Sequence, residues 1–180
     1  MSEGADETSP AVIARAAKSR IPPERLDAVE AIVLTHAHED HIGAVPYFAA
    51  DLGVPLYATP FTARLVHSKL EEAGLVGKVK LHIIDHFDSF QIGDFGIRYV
   101  PLAHSIAEGN ALVIETPFGR IFHTGDWKLD ERPVIGTPST ADQLKAIGEE
   151  GILALVCDST NAFNADDSGS EGSVKADLLK

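Results

Sequence analysis

Three imidazoles and, at Asp40, a carboxylate fall within the segment Thr35-His36-Ala37-His38-Glu39-Asp40-His41, directly after the apolar run Ala31-Ile32-Val33-Leu34. Side chains at i and i+2 of an extended segment point the same way, so His36 and His38 are placed to grip one cation together. Asp40 and His41 come where the chain must turn into its next element, so they project elsewhere and are placed for a second cation beside the first. Neutral imidazole suits zinc, and a bridging or capping carboxylate is what a two-metal hydrolytic site needs to keep two like charges close. Chance clustering of surface histidines would not explain the strand before the HxHxDH pattern and the helix start at Ile42-Gly43 after it. A zinc finger is excluded by arithmetic, since the chain has one cysteine, Cys157.

Two further positions are candidates to complete such a shell. His104 follows a strand ending Tyr99-Val100-Pro101-Leu102, and Asp126 follows one ending Ile121-Phe122-His123-Thr124, both at strand ends where sites are commonly built. Alone, His104 reads as a loop histidine; beside HxHxDH it reads as a ligand. Asp158 opens Asp158-Ser159-Thr160-Asn161 and, from its residues alone, is a helix-cap or turn residue. His67, His82 and His86 fall on a helix face, a strand and a loop and are expected to be structural or exposed. His123 and Trp127 flank Asp126 and are placed to orient it, although packing is the ordinary task of Trp127. Glu39 matches no ligand position, and Glu71-Glu72 and Asp166-Asp167 read as solvated surface.

The elements that must hold these residues follow from periodicity and punctuation. Residues 1 to 9 read as a polar leader and Pro10 to Arg20 as a short helix broken by Ile21-Pro22-Pro23. Ile42 to Asp51 is expected as one helix, with Pro46 near its first turn and Gly53 past its end. Val54 to Ala58 reads as a strand. Thr59-Pro60 reads as an N-cap and first helical residue of a helix running to about Ala73, stopped by Gly74. Val79 to Ile84 is a strand, and residues 91 to 100 form a hairpin around Gly93-Asp94-Phe95-Gly96. A second hairpin joins Ala111–Thr116 to Arg120–Thr124 through Pro117-Phe118-Gly119. Thr140 and Gln143 predict a capping box for a helix to about Ile147, and Gly151 leads into an expected buried strand, Ile152 to Val156. A polar loop, Asn164 to Ser173, precedes another helix from Val174. Strands interleaved with helices, then hairpins, predict an α/β layered domain.

At 180 residues and 44% hydrophobic content the chain suffices for one domain with a core. It has no run near the roughly 18 apolar residues of a membrane span, and its start is acidic, so a cytoplasmic location is expected. The formal charge of −12 excludes a broad basic face for nucleic acid, although a metal centre supplies local positive charge for a phosphate.

The motifs THAHEDH, PLAHS, HTGDWKLD and CDSTNAF, in that order, resemble the signatures of metallo-β-lactamase-fold hydrolases of the β-CASP branch, and within it the bacterial ribonuclease J family, from about Leu26 to Lys180. HxHxDH marks only the superfamily; HTGDWK with DSTN is much narrower. The resemblance implies an αββα layered sandwich over residues 21–157 and the start of a β-CASP region at 158–180, with residues 1–20 unmatched. It implies that His36, His38 and His104 bind one zinc, Asp40 and His41 the other, and that Asp126 bridges, with Mn2+ or Mg2+ as alternative metals. Asp158 matches the first β-CASP motif. The implied reaction is metal-dependent hydrolysis of RNA, in processing and decay, with Asp40 or Asp126 orienting the water; RNA is the partner, and homo-oligomers are implied for full-length members. Members of the family also continue to a last metal-binding histidine beyond the motifs matched here, so the second metal is expected to be one ligand short and the chain to be a piece of a longer enzyme. Three rival readings follow: a thioester or lactam hydrolase of the same fold, whose GHTPG-like context Ala103-His104-Ser105-Ile106 does not resemble; a catalytically silent metal-binding remnant; and a β-CASP enzyme acting on DNA.

Overall fold

A computed structural model describes residues 22–166 and 169–180. The leader, the helix expected over Pro10 to Arg20, and Asp167 lie outside the described residues. The chain divides into two compact units, one ending at Ile84 and the other beginning at Asp85.

The first unit contains α1 (Pro23–Leu26), β1 (Ile32–Val33), α2 (Glu39–Ile42), α3 (Val45–Leu52), β2 (Leu56–Ala58), α4 (Pro60–Glu72) and β3 (Leu81–Ile83). Its strands form a parallel sheet in the order β1-β2-β3, with Ile32 opposite Leu56 and Tyr57 opposite His82. Parallel neighbours need crossovers, which α2 and α3 supply between β1 and β2 and α4 supplies between β2 and β3. On α4 the buried residues Thr62, Ala63, Val66 and Leu70 recur at helical spacing and form one face. They join Ile42, Val45, Ala49, Leu56 and Ala58 in the unit's core; each large aliphatic side chain buried this way is worth about 1.5–3 kcal/mol.

Two expectations change here. The single helix from Ile42 to Asp51 is split into α2 and α3 at Gly43-Ala44, because Pro46 sits in the first turn of α3 and has no N–H to continue a helix begun at Glu39. Thr59 has the extended backbone of an N-cap, yet its hydroxyl goes to Thr62 Oγ1 at 3.4 Å and caps no backbone N–H. Gly53 and Gly74 do close α3 and α4 in left-handed conformations.

The second unit contains β4 (Ser89–Ile92), β5 (Phe95–Pro101), β6 (Asn110–Thr116), β7 (Gly119–His123), α5 (Ala141–Glu149), β8 (Ile152–Val156) and α6 (Glu171–Leu178). Its five-stranded sheet runs β4-β5-β6-β7-β8. The pairs from β4 to β7 are antiparallel, whereas β8 pairs parallel to β7 after the α5 crossover. Both expected hairpins form: Ile92 pairs with Phe95 around Gly93-Asp94, and Thr116 with Gly119 around Pro117-Phe118. Thr116 Oγ1 locks the second turn, donating to Gly119 O and accepting from Phe118 N–H. Val100, Leu102, Ala111, Val113 and Phe122 form a buried cluster with Ile147 of α5, against which Trp127, Leu144 and Ile152 pack.

Thr140 caps α5 by accepting from Gln143 N–H at 3.2 Å. The reciprocal half of the expected capping box is absent, because the Gln143 amide donates instead to Pro101 O and ties α5 to β5. The strand β8 forms where expected but is not buried: Leu153 and Leu155 are 66% and 62% exposed. It occupies the sheet edge, and apolar composition alone does not decide whether anything lies over a strand. The last helix begins at Glu171, earlier than Val174, since Ser170 accepts from Gly172 N–H as its cap.

Candidate metal centre

The first unit gathers the histidines of the HxHxDH segment. After β1 the chain bends at Thr35, and His38, with extended backbone, takes the N-cap position of α2, so Asp40 and His41 lie on the first helical turn. His36 is fully buried, and its Nδ1 lies 3.0 Å from Thr35 Oγ1. With Nδ1–H donating to that hydroxyl, Nε2 is the nitrogen left for a cation. The His36 ring stands edge-on to His38 at 4.9 Å and tilted to His41 at 4.1 Å. One ring nitrogen of His36 is within 4.8 Å of one from each of those neighbours, as ligands of a shared ion or of adjacent ions require. Asp40 is the outermost member, 78% exposed and 3.7 Å from His41 Nε2. Glu39 is turned to Lys69, with contacts of 2.6 and 2.8 Å.

The second unit places His104 after β5 and Asp126 after β7, with His104 Nε2 and Asp126 Oδ2 3.9 Å apart and neither side chain fully buried. Backbone hydrogen bonds hold the two turns together: Lys128 N–H donates to Ala103 O, the carbonyl just before His104. His123 Nδ1 accepts from Gly125 N–H at 3.1 Å, which sets the turn ahead of Asp126, whereas Trp127 packs against the core cluster. Asp158 is a turn residue, as its own residues suggest. Its Oδ1 accepts from the Thr160 hydroxyl and N–H, and these bonds, the hydroxyl foremost, hold its carboxyl below the ordinary carboxylate range. Its N–H donates to Thr124 Oγ1 at 3.0 Å, which ties it to the turn just past β7. His67 faces Glu71, and His82 stacks on Tyr57 at 4.5 Å.

Asp130, the last residue of HTGDWKLD, was not singled out by its type or spacing. Its buried carboxylate accepts from Ser170 Oγ at 2.7 Å, Glu171 N–H at 2.9 Å, Arg132 N–H at 2.9 Å and Lys128 Nζ at 3.2 Å. Those bonds, led by Glu171 N–H, hold its carboxyl far below the ordinary range and pin the start of α6 to the Asp126 turn. Ser170 and Glu171 are distant in sequence, so no local pattern announces the bonds they make. The donor set of the two units is imidazole and carboxylate without thiolate, since Cys157 is exposed. That chemistry fits zinc and neighbouring divalent cations.

A family described as "Beta-lactamase superfamily domain" matches residues 7–145, reaching into the leader that has none of the motifs above. Ribonuclease J of Sinorhizobium meliloti is 43% identical over 152 residues, 84% of this chain and 27% of that protein. Ribonuclease J 1 of Streptococcus pyogenes is 40% identical over 157 residues, 87% of this chain and 28% of that protein. The chain thus spans about a quarter of the length of these relatives. Among solved structures, Zn(2+)-bound PqqB from Methylobacterium extorquens superimposes with a TM-score of 0.59 at 19% identity, over 82% of this chain and 52% of that one. A protein of unknown function from Enterococcus faecalis gives 0.56 at 22%, over 83% and 37%. Both likenesses concern the fold.

Proposed function

We propose, from the premise that this chain belongs to the β-lactamase superfamily and has its metallo-hydrolase fold, that it is the metal-binding part of a ribonuclease that hydrolyses RNA phosphodiesters. The observation that supports this reading most is the donor set itself, clustered imidazoles in one unit and a His-Asp pair in the other. The substrate class is drawn from the relatives named Ribonuclease J.

In this reading His36, His38 and His104 would hold one divalent ion and Asp40 and His41 a second, with Asp126 as the carboxylate shared between the two sets. Zinc is the metal proposed, with Mn2+ or Mg2+ as alternatives. Bound there, the ions would supply Lewis acidity, bringing a water toward ionisation at neutral pH and offsetting charge on the phosphodiester. The chain's own residues orient and position. Asp126 or Asp40 accepts a hydrogen bond from the attacking water and aims it in line with the leaving oxygen. Thr35 orients the His36 ring through its hydroxyl. Asp158 is tied to the turn that leads to Asp126 through its N–H to Thr124 Oγ1. The protein supplies no covalent nucleophile, so attack by water breaks the P–O bond directly and the leaving oxygen takes up a proton. RNA is the partner proposed, in the cytoplasm; no helix among the described residues is long and apolar enough to cross a membrane.

Metal content of the purified chain, measured beside His38→Ala, tests the site; equal, near-zero uptake by both removes it. Asp126→Asn keeps side-chain volume while removing charge. It is expected to reduce cleavage of 5′-monophosphorylated RNA by more than the ~10- to 100-fold typical of losing an outer partner, with little change in melting. Unchanged cleavage would refute the bridging role.

A further inference from the structure

Among the described residues, two non-glycine positions adopt left-handed backbone conformations, Phe87 at φ 69° and Glu108 at φ 57°. They lie on either side of one contact: Phe87 follows His86, and His86 Nε2 is 3.3 Å from the Glu108 carboxylate. Such conformations are uncommon for residues with a Cβ and persist only where the surroundings over-determine them. Both belong to the second unit, and Glu108 belongs to the connection between β5 and β6 that contains His104.

That connection is constrained from several directions. Leu102 N–H donates to Gly109 O at 3.0 Å, closing the loop at its base. Gly109 has no room for a side chain, since a Cβ there would sit 2.9 Å from Leu102 O and 3.0 Å from His104 Cβ. Asn110 is fully buried, and its amide donates to Glu108 O at 2.6 Å. The Glu108 side chain meets His86, which comes from the turn between β3 and β4; the two side chains are 22% and 25% exposed, so water screens the pair less than it would a surface pair. His86 Nδ1 is buried and has no hydrogen-bond partner among the described residues, so the imidazole's polar contact runs through Nε2 to Glu108.

We propose that the His86–Glu108 pair is a clamp whose task is to hold the Leu102–Asn110 loop in the one conformation that presents His104 to the metal, which makes both of them positioning residues. The inference rests on the ligand role given to His104 above. A metal-ligating histidine on an unrestrained loop loses conformational freedom when the ion binds; a clamp fixed before binding removes that cost.

The test is titration of the purified chain with Co2+ and Zn2+, comparing wild type with His86→Gln, Glu108→Gln and the double variant. Arg98→Gln is the control, because it breaks an ion pair of the same unit, Arg98 to Glu150, that touches neither the loop nor a donor. Each clamp variant is expected to weaken the His104-containing site by about 10- to 100-fold, the range for losing a partner behind a ligand, and to change the visible absorption of bound Co2+. The double variant should be no weaker than the worse single one, since either change opens the same clamp. Arg98→Gln should melt lower yet keep wild-type affinity and spectrum. Glu108→Gly guards against misfolding, because glycine accepts the left-handed backbone while it removes the side chain and its carboxylate; it should weaken binding as Glu108→Gln does. Wild-type affinity and an unchanged Co2+ spectrum in the clamp variants would overturn the inference while leaving the metal site standing. A wild-type chain that takes up no metal would overturn both.

Discussion

In the proposed centre Thr35 stands behind a ligand, its hydroxyl 3.0 Å from Nδ1 of the fully buried His36 ring and so placed to orient that ring with Nε2 toward the ion. Thr35→Val is therefore expected to weaken metal binding by about 10- to 100-fold, with a small change in the melting temperature of the metal-free chain. Calorimetric titration beside a melting curve checks this; equal affinity would mean that the hydroxyl is incidental. Asp158 closes its own Asx turn with Thr160, and its N–H reaches back to Thr124 Oγ1, two residues before Asp126.

At the scale of elements, the start of α6 is attached to the segment after Asp126 through the Asp130 carboxylate, beside contacts from Gly172 N–H to Arg132 O and from Glu171 to Val134 N–H and Lys128. Asp130 has a lowered pKa in the folded chain, so the attachment is at full strength above the ordinary carboxylate value of 3.8. It weakens as pH falls below that value toward the folded one. Amide exchange in α6 should thus be unaffected between pH 7 and pH 5, apart from the intrinsic pH dependence of exchange, and should lose protection only in strong acid. Asp130→Ala should lower α6 protection about tenfold or more at neutral pH, as expected for losing charge-assisted hydrogen bonds, while β5 to β7 keep theirs. Equal loss across the whole sheet would show that Asp130 supports the unit and not the helix. For α5 the expectation is simpler: Thr140→Ala removes a side-chain cap and should cost about 1 kcal/mol by denaturant unfolding.

For the whole molecule, metal and stability should be linked. An ion that binds the folded chain and not the unfolded one stabilises it by about 2.7 kcal/mol at a hundred times its dissociation constant. Melting temperature should rise with free zinc in the wild type, fall back with a chelator, and stay flat in His36→Ala and His38→Ala. A flat response in the wild type would contradict the proposed centre. The formal charge of −12 sets a second expectation, since a chain of that sign gains little from displacing counterions around RNA. Binding of RNA by the metal-free chain should be weak, and divalent metal should strengthen it.

Much of the candidate site was legible because it is local. His36, His38 and His41 are brought together by the backbone geometry of a single strand-to-helix junction, and punctuation was enough to place both hairpins, whereas the helix at that junction starts at Glu39 and not at Ile42. Other features depend on residues far apart in sequence. The burial of β8 could not be read from Ile152-Leu153-Ala154-Leu155-Val156, because exposure depends on what lies over a strand and not on its composition. Gln143 looked like half of a capping box until β5 supplied a carbonyl within its reach. Asp130 and the His86–Glu108 pair were invisible for the same reason: their partners arrive through tertiary contacts, and only the folded chain decides which carboxylate meets a helix start and which meets an imidazole.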